Sequence, residues 1–248
     1  MISPAKTFAK KISDTEGLAP VMHPETLQVA EQALRMDGVA LSRELKLSPK
    51  MATEARQAWL AWTDGLAPEA PALSYYSGMV FRKIEPASFT PEDWAYAEEH
   101  LRICSFVYGL LSPRTLIRPY RMEGTVRLED GQRVSELWRP RLTEELIRLG
   151  QQCGGVLIHL ASAEMEGLYD WAEVKRQLRV VDIHFEVRQA DGSLKNITIY
   201  CKMARGAMMR EIIKQRIDTP EGLKALTPEG FVYQPELSDE HCYRYVLG

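Results

Sequence analysis

A strand pattern that leads into a helix pattern, in the last third of the chain, constrains the fold most. Residues 180–187 alternate polar and apolar side chains, which is typical of a strand with one buried face. Asp191 and Gly192 predict a tight turn, and residues 196–200 predict a second strand that returns antiparallel to the first. Beyond Gly206 the apolar residues recur at helical spacing. We therefore predict a hairpin followed by a helix that begins after Gly206.

The same part of the chain concentrates positive charge. Residues 195–216 contain six basic residues and one acidic residue, Glu211, a local charge of +5, whereas the whole chain carries −3. Free N–H groups at the start of a helix after Gly206, flanked by Lys202 and Arg205, would bind an anion such as phosphate. The alternative is an ordinary solvated face on which Gly206 only turns the chain.

A second group of basic residues lies between residues 101 and 122, a stretch without any acidic residue. Tyr108 and Tyr120 lie among its arginines. Arginine next to aromatic rings suits contact with phosphate combined with stacking on a base or a sugar. Arginine stems that cover apolar surface are the alternative. The arginines of this group are Arg102, Arg114, Arg118 and Arg121.

A helix start precedes the second basic group. Thr90 is the predicted N-cap, Pro91 occupies the first turn, and Asp93 is the reciprocal acid of a capping box. Apolar residues then follow at intervals of three and four as far as Tyr108, and Cys104 is one of them. This spacing predicts one central helix that includes both Cys104 and Tyr108.

Two short helices joined by a tight turn are predicted over residues 41–62. Ser48 is the expected cap of the second helix, and Pro49 occupies its first turn. Lys46 and Lys50 lie at the joint, so the pair is a candidate helix-hairpin-helix, a motif that presents backbone N–H groups and cations to a phosphate backbone. The glycines usual in that hairpin are missing, and two packed structural helices are the alternative.

An apolar run at residues 156–160 predicts an interior strand. His159 within it is interpreted as a core histidine. The loop at residues 161–164 comes directly after this strand, a common position for site residues. A very short strand at the start of the chain would place Ser3 and Lys6 at a sheet edge.

The chain as a whole has the composition of a globular protein, with 45% hydrophobic and 26% charged residues. Helix and strand patterns are mixed throughout, so residues 1–248 are predicted to form one compact α/β mixed (α+β) domain, with a central mixed sheet flanked by helices. Neither a run of roughly 20 apolar residues nor a signal peptide is found, which predicts a cytoplasmic protein that has no membrane partner. The four cysteines form no CxxC pair, and no metal or cofactor is predicted.

Six short segments together carry a family resemblance. They are residues 2–7, 100–102, 108–110, 118–121, 160–162 and 202–206, with Met208 and Arg210 after the last. Through these segments the chain resembles the YaaA family of bacterial peroxide-stress proteins across essentially its full length. It departs from the family pattern near residues 76–80, where Ser77-Gly78-Met79 replaces a glycine followed by an acid, and after Ser162, where Ala-Glu replaces a pair of acids.

The resemblance implies an intracellular protein that is induced under peroxide stress and limits iron-driven DNA damage. It also implies an unusual mixed α/β fold of the "cantaloupe" type, a positively charged cleft, and a helix-hairpin-helix that binds DNA duplexes and junctions. The expected DNA- or phosphate-binding residues combine the cations of the matching segments with one tyrosine of the second basic group. They are Lys6, Arg102, Arg118, Tyr120, Arg121, Lys202, Arg205 and Arg210.

The leading hypothesis is therefore that the protein binds the DNA backbone without sequence preference and contributes to DNA repair or protection. The alternative is an enzyme that acts on a nucleotide or a nucleic acid end. Lys202 and Arg205 would hold its phosphate, and Glu164 or Asp182 would serve as acid or base. No P-loop, HExxH motif or nucleophile elbow is present, so no catalytic residue is assigned.

Overall fold

The computed structural model describes residues 1–12 and 15–248 and combines helices with short strands. Its helices are α1 (Pro24–Arg35), α2 (Gly38–Glu44), α3 (Pro49–Thr63), α4 (Ala72–Tyr75), α5 (Met79–Ile84), α6 (Pro91–His100), α7 (Val134–Gln152), α8 (Trp171–Gln177), α9 (Thr198–Gln215) and α10 (Pro220–Leu223). Its strands are β1 (Ala70–Pro71), β2 (Ile103–Ser105), β3 (Gly109–Leu111), β4 (Leu116–Ile117), β5 (Val156–His159), β6 (Arg179–Arg188), β7 (Leu194–Lys195), β8 (Val232–Tyr233) and β9 (Cys242–Leu247).

The main sheet is mixed, as predicted. Its strand order is β5-β6-β9-β8, and β7 pairs with the far end of β6. Strand β6 runs parallel to both β5 and β9, whereas β8 and β7 pair antiparallel with their neighbours. The β5–β6 register places His159 opposite Asp182. Two polar side chains are thereby fixed side by side at the point where β5 ends.

The start of the chain joins this sheet to a second one. The backbone nitrogen of Met1 donates to the Ile158 carbonyl at 2.9 Å, and Leu160 N donates to the Met1 carbonyl at 3.0 Å. On its other side, Ile2 forms a parallel bridge to Ile103 in β2. The predicted short strand is thus present, but it lies between β5 and β2 and not at a sheet edge. Since all these pairings are parallel, the carboxyl ends of the three segments face the same way.

The predicted return strand at residues 196–200 is wrong. Helix α9 begins at Thr198 and continues through Gly206, and the antiparallel partner of β6 after the turn is β7, just before the predicted strand. Gly206 is not a turn residue. A Cβ placed on it would lie 2.2 Å from the Val80 carbonyl oxygen and 2.7 Å from the Lys83 side chain. The glycine therefore permits α9 and α5 to cross closely. The spacing of residues along the chain could not predict this contact, because its partner is another helix.

The predicted helix over residues 90–108 is right at its start and wrong at its end. Thr90 and Asp93 form the expected capping box, but α6 ends at His100, and Cys104 lies in β2. Ile2 provides hydrogen-bond partners from far away in the sequence, and these hold the segment around Cys104 as a strand. Cys104 is buried, and burial raises the pKa of its thiol to about 11.

Asp93 ties α6 to the end of α9. Its side chain is 5% exposed and accepts hydrogen bonds from Lys214 at 2.5 Å and from Arg216 at 2.8 Å. The bond from Lys214 holds the pKa of Asp93 well below its usual range, although burial opposes this effect. Two of the six cations in the first basic group therefore have a structural role.

The predicted helix pair is confirmed as a structural element. Helices α2 and α3 pack against each other, with Lys46 in a left-handed conformation at the joint (φ 52°). Ser48 caps α3 by accepting a hydrogen bond from Met51 N. In the part of the chain that the structure describes, no helix is long and apolar enough to span a bilayer.

We predict that Gly206→Ala destabilises the protein by about 1–3 kcal/mol, because the added methyl group would overlap the Val80 carbonyl and force α5 and α9 apart. Urea unfolding followed by circular dichroism measures the difference in the free energy of unfolding between the variant and the wild type. Gly38→Ala is the matched control, since a Cβ at Gly38 in α2 meets no atom within 4 Å. If both variants lost the same free energy of unfolding, the close crossing of α5 and α9 would be contradicted.

We predict that Asp93→Asn lowers the free energy of unfolding by about 2 kcal/mol at pH 7, because Lys214 and Arg216 lose their shared carboxylate. A carboxyl group with a depressed folded-state pKa stabilises the protein at neutral pH. That contribution disappears as the pH falls below about 4. Urea unfolding at several pH values should show the two proteins converging on acidification, whereas the exposed Glu54→Gln control should match the wild type throughout.

Candidate functional site

The segment at residues 161–166 lies directly after β5 and forms a wall that two concave sites share. The first, which we call the edge cavity, has a volume of about 460 Å³. Its lining is His159, Ala161, Ala163, Glu166, Trp171, Lys175, Asp182, Ile183, His184, Asn196 and Arg205. The second, which we call the Lys6 hollow, is lined by residues 4–6, Phe106, residues 120–122 and Glu164. A crevice beside the carboxyl ends of parallel strands is the usual position of a ligand site in open α/β sheets.

His159 and Asp182 form a hydrogen-bonded pair on the wall of the edge cavity. His159 Nδ1 lies 2.7 Å from Asp182 Oδ1, and the second carboxylate oxygen accepts a bond from Lys175 Nζ at 3.0 Å. The bond from His159 and then the bond from Lys175 lower the pKa of Asp182 to about 2, against the effect of partial burial. The carboxylate is therefore ionised at neutral pH.

This pairing fixes the tautomer of His159. An ionised carboxylate only accepts hydrogen bonds, so the Nδ1 atom of the imidazole donates a proton to it. The Nε2 atom is fully buried and has no hydrogen-bond partner among the described residues. Trp171 lies against the imidazole with its ring centroid at 4.7 Å and helps to hold the ring plane. The expectation of an ordinary core histidine is met only in part, because the side chain of His159 is 11% exposed and lines the edge cavity.

Arg205 brings an uncompensated positive charge to the same cavity. It is partly buried, and among the described residues its Nε atom has no hydrogen-bond partner and its guanidinium has no carboxylate within ion-pair distance. Burial lowers its pKa from the usual range. Burial and then the charge of Arg244 also lower the pKa of the neighbouring His184. This side of the edge cavity therefore favours an anion.

Lys202 extends the positive surface outward from Arg205. The two residues are three apart in α9 and so lie on neighbouring positions of one face. Lys202 is exposed, and no described acidic residue pairs with it. Tyr200, in the first turn of α9, is 42% exposed, but at two residues before Lys202 it points to a different face of the helix. Sequence patterns did not single out Tyr200, because they place it in a strand.

The Lys6 hollow holds two more of the expected cations, but each has an acidic partner. Lys6 Nζ lies 2.8 Å from Glu123 and 3.8 Å from Glu164, and Arg121 lies 2.9 Å from the same Glu123 oxygen. Their charge is therefore largely balanced within the protein.

Tyr120, the expected stacking residue, is buried in a hydroxyl network. Its oxygen lies 2.7 Å from the Tyr76 hydroxyl and 2.8 Å from the Ser105 hydroxyl. Burial raises its pKa above the usual range. Its ring is 7% exposed, so it has no free face for a base. In the second basic group, therefore, the aromatic rings belong to the core.

The other expected arginines mainly support the fold. Arg118 pairs with Glu69 at 2.8 Å and lies over the Trp62 ring, and Arg102 donates to the carbonyls of residues 98 and 101. Arg210 donates to the Ser88 hydroxyl at 2.6 Å and to the carbonyls of Ile84 and Glu85 at the end of α5, and it lies 3.4 Å from the Glu85 carboxylate. Of the eight expected site residues, Arg205 lines the edge cavity and Lys202 lies beside it on α9, while three line the Lys6 hollow and three lie elsewhere.

A metal centre built from clustered ligands is not found among the residues that the structure describes. No group of three or more His, Cys, Asp or Glu side chains there could hold an ion. The edge cavity instead combines two imidazoles, one partly buried guanidinium, one ammonium group and two carboxylates with an amide and an indole, and one of those carboxylates, Asp182, is already paired with His159 and Lys175. These groups suit an anionic organic ligand.

Comparison with known proteins places this architecture in a family. The model of the family described as peroxide stress protein YaaA matches residues 1–237. A UPF0246 protein of Porphyromonas gingivalis is 44% identical and one of Bacteroides fragilis 41% identical, each covering 100% of this chain and 98% of the relative. A UPF0246 protein of Roseobacter denitrificans is 34% identical, with 96% of this chain and 93% of the relative covered. The chain belongs to the YaaA family of peroxide stress proteins.

Proposed function

We propose that this protein binds the DNA backbone without sequence preference during peroxide stress, and that Arg205 and Lys202 make its central phosphate contacts. The observation that carries the proposal is the partly buried Arg205 guanidinium without a carboxylate partner in the described chain. A charged group that loses hydration is costly unless an opposite charge compensates it. A phosphate group would supply that charge in two hydrogen bonds of matching geometry.

The surroundings of Arg205 favour a polymeric ligand. Lys202 lies about one turn away and is exposed, so that it can contact a second phosphate outside the cavity. The whole chain carries −3, so attraction to a polyanion depends on local groups of unpaired cations such as this one. Such contacts to phosphate carry no sequence information.

The pair of helices α2 and α3 is a second contact surface in this proposal. Lys46 and Lys50 are exposed at the joint, as a helix-hairpin-helix requires. The Trp59 indole of α3 donates to the Arg121 carbonyl at 3.1 Å, so the helix pair is anchored beside the Lys6 hollow. Duplexes or junctions that reach both surfaces would bind more tightly than short single strands. Coverage of DNA by the protein is the proposed way in which it limits oxidative damage.

We predict that Arg205→Ala and Lys202→Ala each weaken DNA binding about ten-fold, which is about 1.4 kcal/mol. Fluorescence anisotropy with labelled duplex, junction and single-stranded DNA over a salt series is the measurement. Each variant should also reduce the slope of log K against log salt by about 0.9, because one phosphate contact is lost. Arg148→Ala, an exposed arginine of α7, is the matched control and should bind like the wild type.

We further predict that Lys46→Ala combined with Lys50→Ala weakens binding to junctions more than binding to single strands, because only a long, rigid ligand reaches both surfaces. If affinity fell equally for duplex, junction and single-stranded DNA, the helix pair would not be a second contact surface. If the wild type does not bind any of these DNA forms at low salt, the proposed function is wrong.

A further inference from the structure

Two side chains of opposite charge line the edge cavity without a partner in the part of the chain that the structure describes. One is Arg205 of α9, and the other is Glu166 of the wall after β5. The Asp182 carboxylate, by contrast, accepts bonds from His159 at 2.7 Å and from Lys175 at 3.0 Å. It is therefore not free to contact a ligand or to act as the acid or base of the enzyme considered from the sequence.

Both unpaired groups can be reached from the cavity. Of the three guanidinium nitrogens of Arg205, only Nε is fully buried, and none makes a hydrogen bond within the described chain. Glu166 is exposed, and no described side chain donates to its carboxylate. The cavity is therefore complementary to a ligand that carries a negative group at one end and hydrogen-bond donors at the other.

A nucleotide has this distribution of charge. The oxygens of its phosphate match the guanidinium fork of an arginine. Adenine, cytosine and guanine carry an amino group on the edge that pairs in a duplex, whereas thymine presents one N–H between two carbonyl oxygens. Guanine suits a carboxylate best, because its N1–H and its amino group are adjacent donors for the two carboxylate oxygens.

The size and the lining of the cavity also suit a nucleotide. Its volume of about 460 Å³ lies in the usual range for small-molecule sites. Trp171 and Ile183 contribute apolar surface, which suits the face of a planar base, and the Asn196 amide offers a donor and an acceptor. Because the pairing edge of a base is covered inside a duplex, the nucleotide must be free, unpaired or at the end of a strand.

We infer that the edge cavity binds one nucleotide with an amino-bearing base, guanine above all, with its phosphate on Arg205 and the edge of its base on Glu166. This inference rests on the proposed function in one respect, since both assign a phosphate to Arg205. It goes beyond that function because contacts to the DNA backbone carry no base preference and give Glu166 no role.

Isothermal titration calorimetry with single nucleotides tests this inference. The wild type should bind dGMP about ten-fold more tightly than dTMP, because thymine places two acceptors beside its one donor. Glu166→Gln should remove this preference by lowering the affinity for dGMP. Arg205→Ala should lower the affinity for dGMP about ten-fold, while the affinity for deoxyguanosine, which has no phosphate, should not change.

Glu144→Gln is the matched control, since it removes an exposed acid of α7 that does not line the edge cavity. It should bind dGMP and dTMP like the wild type. Circular dichroism confirms the fold of every variant, and Glu166→Gln changes an exposed side chain, so the core is not disturbed.

A second arm distinguishes a DNA strand end from a free nucleotide. Fluorescence anisotropy compares labelled duplexes whose 5′-phosphorylated single-stranded overhang ends in dG or in dT. If dG is preferred in both arms, the inference is supported and the ligand is a strand end. If dGMP is preferred in calorimetry alone, the inference is supported and the ligand is a free nucleotide.

Three outcomes would overturn the inference. They are a dissociation constant for dGMP above about 1 mM, equal affinity of the wild type for dGMP and dTMP, and a preference for dGMP that survives in Glu166→Gln. If duplex DNA still binds in any of these cases, the proposed function stands without the inference. A wild type that prefers dGMP but binds no form of DNA would overturn the proposed function alone.

Discussion

The parallel hydrogen bonds of the first two residues hold this architecture together. Met1 pairs with β5 on one side, and Ile2 pairs with β2 on the other, so that the pair β2–β3 and the main sheet become neighbours. Without this segment the backbone groups of β5 and β2 on the facing edges would lack partners, and buried N–H and C=O groups without partners are costly. The hydrogen bonds also set the direction of three segments at once.

Because those segments are parallel, the residues after each of them gather in one region. Ser3 and Lys6 come after the first segment, and the wall at residues 161–166 comes after β5. The Ser3 hydroxyl lies 3.0 Å from the Ser162 hydroxyl and also accepts a bond from Ser162 N at 2.8 Å, which fastens the two turns together. The edge cavity and the Lys6 hollow share this wall. The geometry of the sheet thus decides which side chains can act on one ligand.

Charge balance decides which of these side chains are free to act. Lys6, Arg118 and Arg121 have carboxylate partners at 2.8–2.9 Å, and Lys214 and Arg216 share Asp93. An arginine or lysine in such a pair contributes to the fold and presents little net charge to a ligand. Arg205 and Lys202 differ because the described chain offers them no acid. A partly buried cation without a partner in the described chain is the feature on which the proposed phosphate contact rests.

The sequence by itself determined the family, the mixture of helices and strands, the capping box at Thr90 and Asp93, the helix pair with its Ser48 cap, and Lys202 and Arg205 as candidate residues for phosphate. These features depend on local patterns or on motifs in a fixed order. Only the tertiary structure decided that α9 begins at Thr198, that Gly206 serves a helix crossing, that Tyr120 is buried, and that His159 meets Asp182. Each of these outcomes depends on a partner that lies far away in the sequence, and local spacing carries no information about that partner.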